Sequence, residues 1–313
     1  MSITVSTATT AEQSEASEFI FADSSEAERE TQIQDFIDSI TSGETNQHQI
    51  LLARESGALV GVGILVFTDS ATAFIWPPFT RRNDCAVSIL QEMVKRIDHS
   101  KVSIGQSLLN PGQIKQRQLL SRNGFPHLTN LMFMRHPLTT FHQPDCLNEA
   151  RLPLQWIKFE EQQNRQRFLD LLDLTHESSQ DCPALNQIRT AEESLESHRS
   201  SGDSDQKHWY LFHREGVDLG VLLLSEHRED NIWEVVYMGV APEQRGNGYG
   251  TAIIQHGLLE AQAHHQAAVI LAVDHKNSYA IKIYEELGFV RQNTLSVHAR
   301  LRSQFPEKKQ EFH

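Results

Sequence analysis

The run Val240-Ala241-Pro242-Glu243-Gln244-Arg245-Gly246-Asn247-Gly248-Tyr249-Gly250-Thr251 has the composition and spacing that point most directly to chemistry. It follows an apolar stretch, Ile232 to Val240, and opens a helical pattern whose apolar stripe is Ile254, Leu258 and Ala261. Alternating glycines let the chain turn tightly and leave backbone N–H groups uncovered. Added to the positive end of a helix dipole, such groups form a site for phosphate oxygens. Arg245 would bring a cationic fork to the same place. The expected ligand is a pyrophosphate. A glycine-rich turn is also a common plain connection, so the loop alone leaves both readings open. A dinucleotide fold with Asp274 as the ribose carboxylate fits less well. That fingerprint places its first glycine directly after the strand, whereas Pro242 to Arg245 intervene here, and about forty residues after Asp274 are too few to complete a doubly wound sheet.

The downstream segment Asn277-Ser278-Tyr279-Ala280-Ile281-Lys282-Ile283-Tyr284-Glu285-Glu286-Leu287-Gly288-Phe289 follows the strand-like Val269 to Val273. In this order and spacing, the loop Gln244 to Tyr249 and this helix resemble the GNAT N-acetyltransferases, whose pyrophosphate loop reads Q/R-x-x-G-x-G/A. The resemblance covers residues 154 to 301 well. It reaches the first half more faintly, through Leu59 to Gly63, Trp76-Pro77 and Asn123-Gly124-Phe125. It implies acetyl-CoA as acyl donor and a V-shaped opening between the strand ending at Val240 and the strand Val269 to Val273. The pantetheine arm would pair with backbone at Met238, Gly239 and Val240. Gln244, Arg245, Gly246, Asn247, Gly248, Tyr249, Gly250 and Thr251 would hold the pyrophosphate, and Asn277 and Tyr284 would face the pantetheine and sulfur.

Acetyl transfer to an amine needs a base for the ammonium proton and an acid for the departing thiolate. Glu234 is the one acid inside the apolar run Ile232 to Val240. Simple alternation puts it on the face of Val236 and Met238, in a dry cleft where its pKa would rise. An exposed strand-end glutamate or a salt bridge is the plainer reading. Tyr284 is the candidate acid, because a phenol of pKa about 10 can protonate a thiolate without being ionised itself. The family often places its acid there. Its companions Ala280, Ile281 and Leu287 equally suit a packed core aromatic. An acyl-CoA-dependent N-acyltransferase acting by direct attack is therefore expected, with a catalytically idle acetyl-CoA-binding sensor or partner-binding module as the alternative.

These residues need a scaffold, and the chain repeats one. Arg54-Glu55-Ser56-Gly57 and Arg214-Glu215-Gly216 each precede an apolar run, and Asn123-Gly124-Phe125 is echoed by Leu287-Gly288-Phe289 at a similar offset. A near-constant offset across several landmarks points to a duplicated domain, since a solenoid repeats every ~20–50 residues. Each half reads as an amphipathic helix followed by strands. The helices are Ile33, Phe36, Ile37 and Ile40 stopped by Gly43, and Phe168, Leu171, Leu172 and Thr175. The strands are Gln49 to Ala53, Leu59 to Phe67 and Thr72 to Trp76, matched by His208 to His213, Asp218 to Leu224 and Ile232 to Val240. The expected fold class is α/β in layers, as two tandem GNAT-like domains, each a mixed and mostly antiparallel sheet flanked by helices. A polar stretch from Pro144 to Pro153 divides them into residues 1–145 and 150–313. At the place of the glycine loop, the first half has Thr80-Arg81-Arg82-Asn83-Asp84-Cys85-Ala86. It is expected to be a degenerate copy, structural or substrate-orienting.

The 313 residues suit two domains of about 150 each. A net charge of −13 argues against nucleic acid, which asks for a basic surface. It suits a small-molecule or peptide amine instead. No apolar run approaches the ~20 residues that span a bilayer, and the opening lacks the pattern of a secretory leader. Cys85, Cys146 and Cys182 show no paired or zinc-binding spacing, as expected in a reducing cytoplasm. The adjacent His264 and His265 point to different helix faces, so no metal site is expected there.

Overall fold

Runs such as Ile50-Leu51-Leu52-Ala53 and Trp209-Tyr210-Leu211-Phe212 are apolar at every position, which suits strands covered on both faces. The computed structural model describes residues 2–25, 28–29, 31–34, 47–68, 71–140, 154–186, 188, 190–199 and 206–304. Its strands are β1 (Thr4–Thr7), β2 (Gln47–Glu55), β3 (Ala58–Phe67), β4 (Thr72–Ile75), β5 (Ile104–Leu109), β6 (His127–Pro137), β7 (Gln155–Lys158), β8 (Trp209–Arg214), β9 (Val217–His227), β10 (Ile232–Val240), β11 (Ala268–Asp274) and β12 (Val290–Leu301). The helices used below are α1 (Gln13–Ile20), α2 (Asn83–Asp98), α3 (Ile114–Arg122), α4 (Arg165–His176), α5 (Pro183–Asn186), α6 (Ala191–Arg199), α7 (Tyr249–Ala263) and α8 (Ser278–Glu286). The expected helix around Phe36, Ile37 and Ile40, the divide from Pro144 to Pro153, and Cys146 lie outside the described residues.

The chain forms two units, Met1–Leu128 with Ser296–His313, and Thr129–Leu295. In the first, the strand order is β1-β2-β3-β4-β5-β12. Only β4 and β5 run parallel among its described pairs. Leu51 and Ala53 of β2 face a core with Ile89, Leu90, Met93 and Ile97 of α2. The alternate residues Ile50 and Leu52 face Ala16 of α1. In the second unit the order is β6-β11-β10-β9-β8-β7, and β10 and β11 are its parallel pair. Tyr210, Phe212, Leu222 and Leu224 pack with Ile253, Ile254 and Leu258 of α7. Trp209, Leu211, Val221 and Leu223 pack with Phe168, Leu171 and Leu172 of α4. Both units are thus three-layered α/β structures around a mixed, mostly antiparallel sheet. Each fully buried Leu or Ile contributes roughly 1.5–3 kcal/mol by removal from water.

The Gly-Phe landmarks gain a common physical meaning. Gly124 and Gly288 have φ of +93° and +96°, and directly after them the Phe125 and Phe289 N–H groups donate back to Leu120 and Tyr284 carbonyls at 3.0 and 2.9 Å. Both are the same left-handed helix stop, which favours glycine. The units also cut across the two halves of the sequence at their closing strands. Leu131–Pro137 of β6 pair with β11 in the second unit, and Ser296–Leu301 of β12 pair with β5 in the first. Met134 accordingly belongs to the second unit's core. In the first, Arg300 of β12 grips Asp98 through two hydrogen bonds of 2.6 and 2.9 Å.

Candidate functional site

The parallel pairing of β10 with β11 covers Ile232↔Ala268 to Val235↔Leu271 and stops there. The cause lies on the other edge, where the β9 register shifts between Val235 and Tyr237. The extra residue, Val236, is a bulge, which bends a strand and increases its twist. Beyond it the two strands diverge, and a cavity of about 760 Å³ opens between Val235–Val240 on one side and Leu271–Val273 with α8 on the other. That volume suits a small-molecule site.

The bulge also corrects the simple alternation. Trp233 and Val235 share a cluster with Met238 and Val240, while Tyr237 joins the opposite one. Glu234, whose neighbours Trp233 and Val235 face the first cluster, is therefore not on the face of Met238. Nor is it in a dry cleft. Its side chain is 28% exposed, and Oε2 lies 2.9 Å from His227 Nε2. It is absent from the cavity lining, although Val235 beside it is part of that lining.

At the cavity's far end, the turn Pro242–Gln244 leads into the glycine loop. Gly246 and Gly248 have φ of +79° and +81°, values that favour glycine. Gly248 is the N-cap of α7, and the first helical bond runs from Ala252 N–H to its carbonyl. The N–H groups of Tyr249, Gly250 and Thr251 precede that bond, so the helix itself has no acceptor for them. They sit at the positive end of a 15-residue helix. Such an arrangement of donors can hold a phosphate. Gln244, Arg245, Gly246, Gly248, Tyr249, Gly250 and Thr251 all line the cavity, as do Met238, Gly239, Val240, Asn277 and Tyr284. Asn247 does not; its amide Nδ2 donates to the Gln244 carbonyl at 3.2 Å and so braces the loop.

The structure gives Arg245 different work from that expected. Its Nε donates to the Val240 carbonyl at 2.9 Å, and its terminal nitrogens donate to the Ser178 and Thr175 carbonyls at 3.2 and 3.0 Å. Three N–H directions of the fork therefore serve protein carbonyls, including one in the last turn of α4 that the helix leaves without a donor. Arg245 ties the loop to α4 and β10, and the donors left at the start of α7 are backbone N–H groups. Asn277 likewise has a structural duty, since its Oδ1 accepts the Ala280 N–H at 3.2 Å and caps α8.

Tyr284 is 6% exposed on α8 and belongs both to the core and to the cavity wall, so its two sequence readings coexist. Burial raises its phenol above the ordinary value, with Asp181 and Tyr237 adding to the rise. It stays protonated across the working pH range. Tyr237, raised by burial in the same way, meets Thr175 Oγ1 at 2.9 Å.

Sequence reasoning missed Asp181. It lines the cavity from the loop after α4, and its Oδ1 accepts the Asp274 N–H at 2.9 Å. Asp274 answers by accepting the Cys182 N–H at 3.3 Å. Burial raises the Asp181 carboxyl above its ordinary value; the Asp274 N–H opposes the rise, the Asp274 carboxylate adds to it, and Asn277 opposes it. Nothing in the local pattern Ser178-Ser179-Gln180-Asp181 marks this residue, because its partner is 93 positions away. The loop also holds Ser178 and Cys182 at φ of +51° and +42°. Such backbone is uncommon outside glycine and concentrates at functional sites.

The acetyltransferase (GNAT) family model matches residues 169–289, which contain the wedge, the glycine loop and α8. A mycothiol acetyltransferase of Streptomyces griseus subsp. griseus is 35% identical over 85 residues, 27% of this chain and 28% of that protein. The aligned stretch therefore spans well under two thirds of that relative. A mycothiol acetyltransferase of Parafrankia sp. is 25% identical over 264 residues, covering 77% of this chain and 80% of the relative. Among solved structures, a GCN5-related N-acetyltransferase from Sphaerobacter thermophilus matches with a TM-score of 0.59 at 14% identity over 96% of each chain, a likeness of fold alone. The segment that matches the acetyltransferase (GNAT) family model thus lies wholly within the second unit.

Proposed function

We propose that the chain is an acyl-CoA-dependent N-acetyltransferase that moves an acetyl group from acetyl-CoA to the primary amine of a small molecule or peptide, by direct attack. The observation that carries this reading is the wedge between β10 and β11 ending at the backbone cradle of Gly248 to Thr251, with Tyr284 on its wall. The open edge of β10 at Met238, Gly239 and Val240 would take the pantetheine amides, and the first turn of α7 the pyrophosphate. The amine nitrogen bonds to the thioester carbonyl carbon as the C–S bond breaks. Tyr284 gives its proton to the departing thiolate, and a base takes the proton of the ammonium. We assign that base to Glu234 with His227 beside it, acting through water because Glu234 is off the cavity wall.

Asp181 supports a second reading of the base, since it is a half-buried acid on the wall itself. We place one donor site per chain, in the half 150–313, with the half 1–145 serving structure or acceptor binding. No helix among the described residues is long and apolar enough to cross a membrane, and we place the reaction in the cytoplasm. The test is acetyl-CoA consumption against amines, amino acids, polyamines, aminoglycosides and peptide N-termini. Tight acetyl-CoA binding with no turnover on any of them would favour the idle binding module.

A further inference from the structure

We propose that the first unit carries an oxyanion pocket of its own, walled by Arg117, Arg122, His127 and His298 and suited to a phosphate group. The pocket encloses about 310 Å³ and opens along α3, which supplies Arg117, Gln118, Ser121 and Arg122 to its wall. Among the described residues, no carboxylate belongs to that wall. In a chain of net charge −13 this is an unusual concentration of one sign.

The use of arginine elsewhere sharpens the contrast. Arg82, Arg165, Arg167, Arg199 and Arg300 each grip a carboxylate. Among the described residues, Arg122 has neither an ion pair nor a hydrogen bond. Arg117 donates through one terminal nitrogen to the Pro111 carbonyl at 3.0 Å, and its Nε is buried with no acceptor. A buried donor without a partner is costly, and more so when charged. A ligand oxygen would satisfy it once the guanidinium turns toward the pocket.

The back of the pocket is rigid. His298 is 1% exposed, and its Nδ1 lies 3.2 Å from the Phe125 carbonyl and 3.3 Å from Ser121 Oγ. Its ring meets that of His127 edge to face, at 5.5 Å between centroids. Two guanidinium groups projecting from one helix beside a fixed imidazole match the several acceptor oxygens of a phosphate better than a single carboxylate. The ligand is either free phosphate or a phosphate ester.

The test is calorimetric titration of the full chain with inorganic phosphate, and separately with glycerol 3-phosphate, at constant ionic strength. Saturable binding is expected, weakened at least about tenfold by Arg122→Gln, since a charge-assisted bond is worth 1.5–3 kcal/mol and 1.4 kcal/mol is tenfold. Arg122 is exposed, so this variant keeps the fold; Arg117→Gln should weaken binding similarly. Whichever anion binds more tightly identifies the source of the phosphate. Equal binding by wild type and both variants overturns the proposal. So does binding that disappears only with Gly248→Glu, which would assign the anion to the glycine loop.

Discussion

The same local device, a strand leading into a helix N-terminus, appears in both units and is finished in opposite ways. In the second unit, α7 begins at a glycine N-cap and leaves its first N–H groups to a ligand. In the first, α2 begins after Arg82, and Asp84 Oδ1 already accepts the Cys85 N–H at 2.9 Å. The anion that α7 lacks is built into α2 as a side chain. Arg82 completes the seal by pairing with both Asp84 and Glu55, at 2.6 and 2.5 Å. A helix start becomes a binding site only when the chain withholds its own carboxylate, and duplication let one copy do so while the other closed.

The hardest way to break this comparison is to cut the copies apart. Residues 150–313 alone lack β6, which leaves the β11 edge unpaired and removes Met134 from the core. Residues 1–145 alone lack β12 and the Arg300 partner of Asp98, a part-buried ion pair. Each fragment should be insoluble or unfolded by circular dichroism, and co-expression should restore soluble protein. A soluble 150–313 fragment with full kcat/KM would show that the first copy is dispensable. Next in size is Gly248→Glu, which places a carboxylate where the phosphate should lie and strains a φ of +81°. Acetyl-CoA binding should fall below calorimetric detection from one site per chain. Two comparable sites in the wild type would erase the distinction between the copies.

Much of this was legible in the sequence, for reasons that are local. The glycine loop and the paired helix stops are signals within a dozen residues, and strands such as β3 and β10 are continuous apolar runs. The exchange of closing strands was not legible, because β6 and β12 read the same whichever sheet they join. The bulge at Val236 leaves no mark in an apolar run, so alternation carried Glu234 to the wrong face. The role of Arg245 was hidden because its acceptors are carbonyls, which every residue has. Asp181 depends on a partner distant in sequence.

Catalysis offers a smaller and sharper test of the second copy. Glu234→Gln should lower kcat by about 10²–10⁴-fold if the glutamate is the base, with acetyl-CoA affinity nearly unchanged. Asp181→Asn should then act mainly through the loop, raising KM for the amine. The reverse pattern, a collapse of kcat for Asp181→Asn alone, would move the base onto the cavity wall. Tyr284→Phe should reduce kcat by less, since water also protonates a thiolate.

The smallest effect expected is a loss of stability in acid, carried by buried histidines in both units. Burial lowers the pKa of His136, His208 and His256 in the second unit, and of His48 and His298 in the first. Each folded value lies below the unfolded one of about 6.5, so below that pH the unfolded chain binds more protons than the folded one. Stability is therefore full above about pH 6.5 and declines as pH falls towards the folded values. Asp181 runs the other way, because burial raises its carboxyl in the folded chain, which then binds a proton more readily than the unfolded chain as pH falls. The second unit holds three such histidines and the first two, and Asp181 offsets part of the second unit's loss. Both units should therefore be less stable at pH 5.5 than at pH 7.5, by similar amounts. Urea unfolding followed by tryptophan emission reads this loss in the second unit, since Trp209 and Trp233 are buried there. His256, ringed by Trp156, Tyr210 and Phe212, is the cleanest probe. His256→Phe should flatten the pH dependence of the urea midpoint. An unchanged slope would mean that the imidazole titrates alike in the folded and the unfolded chain.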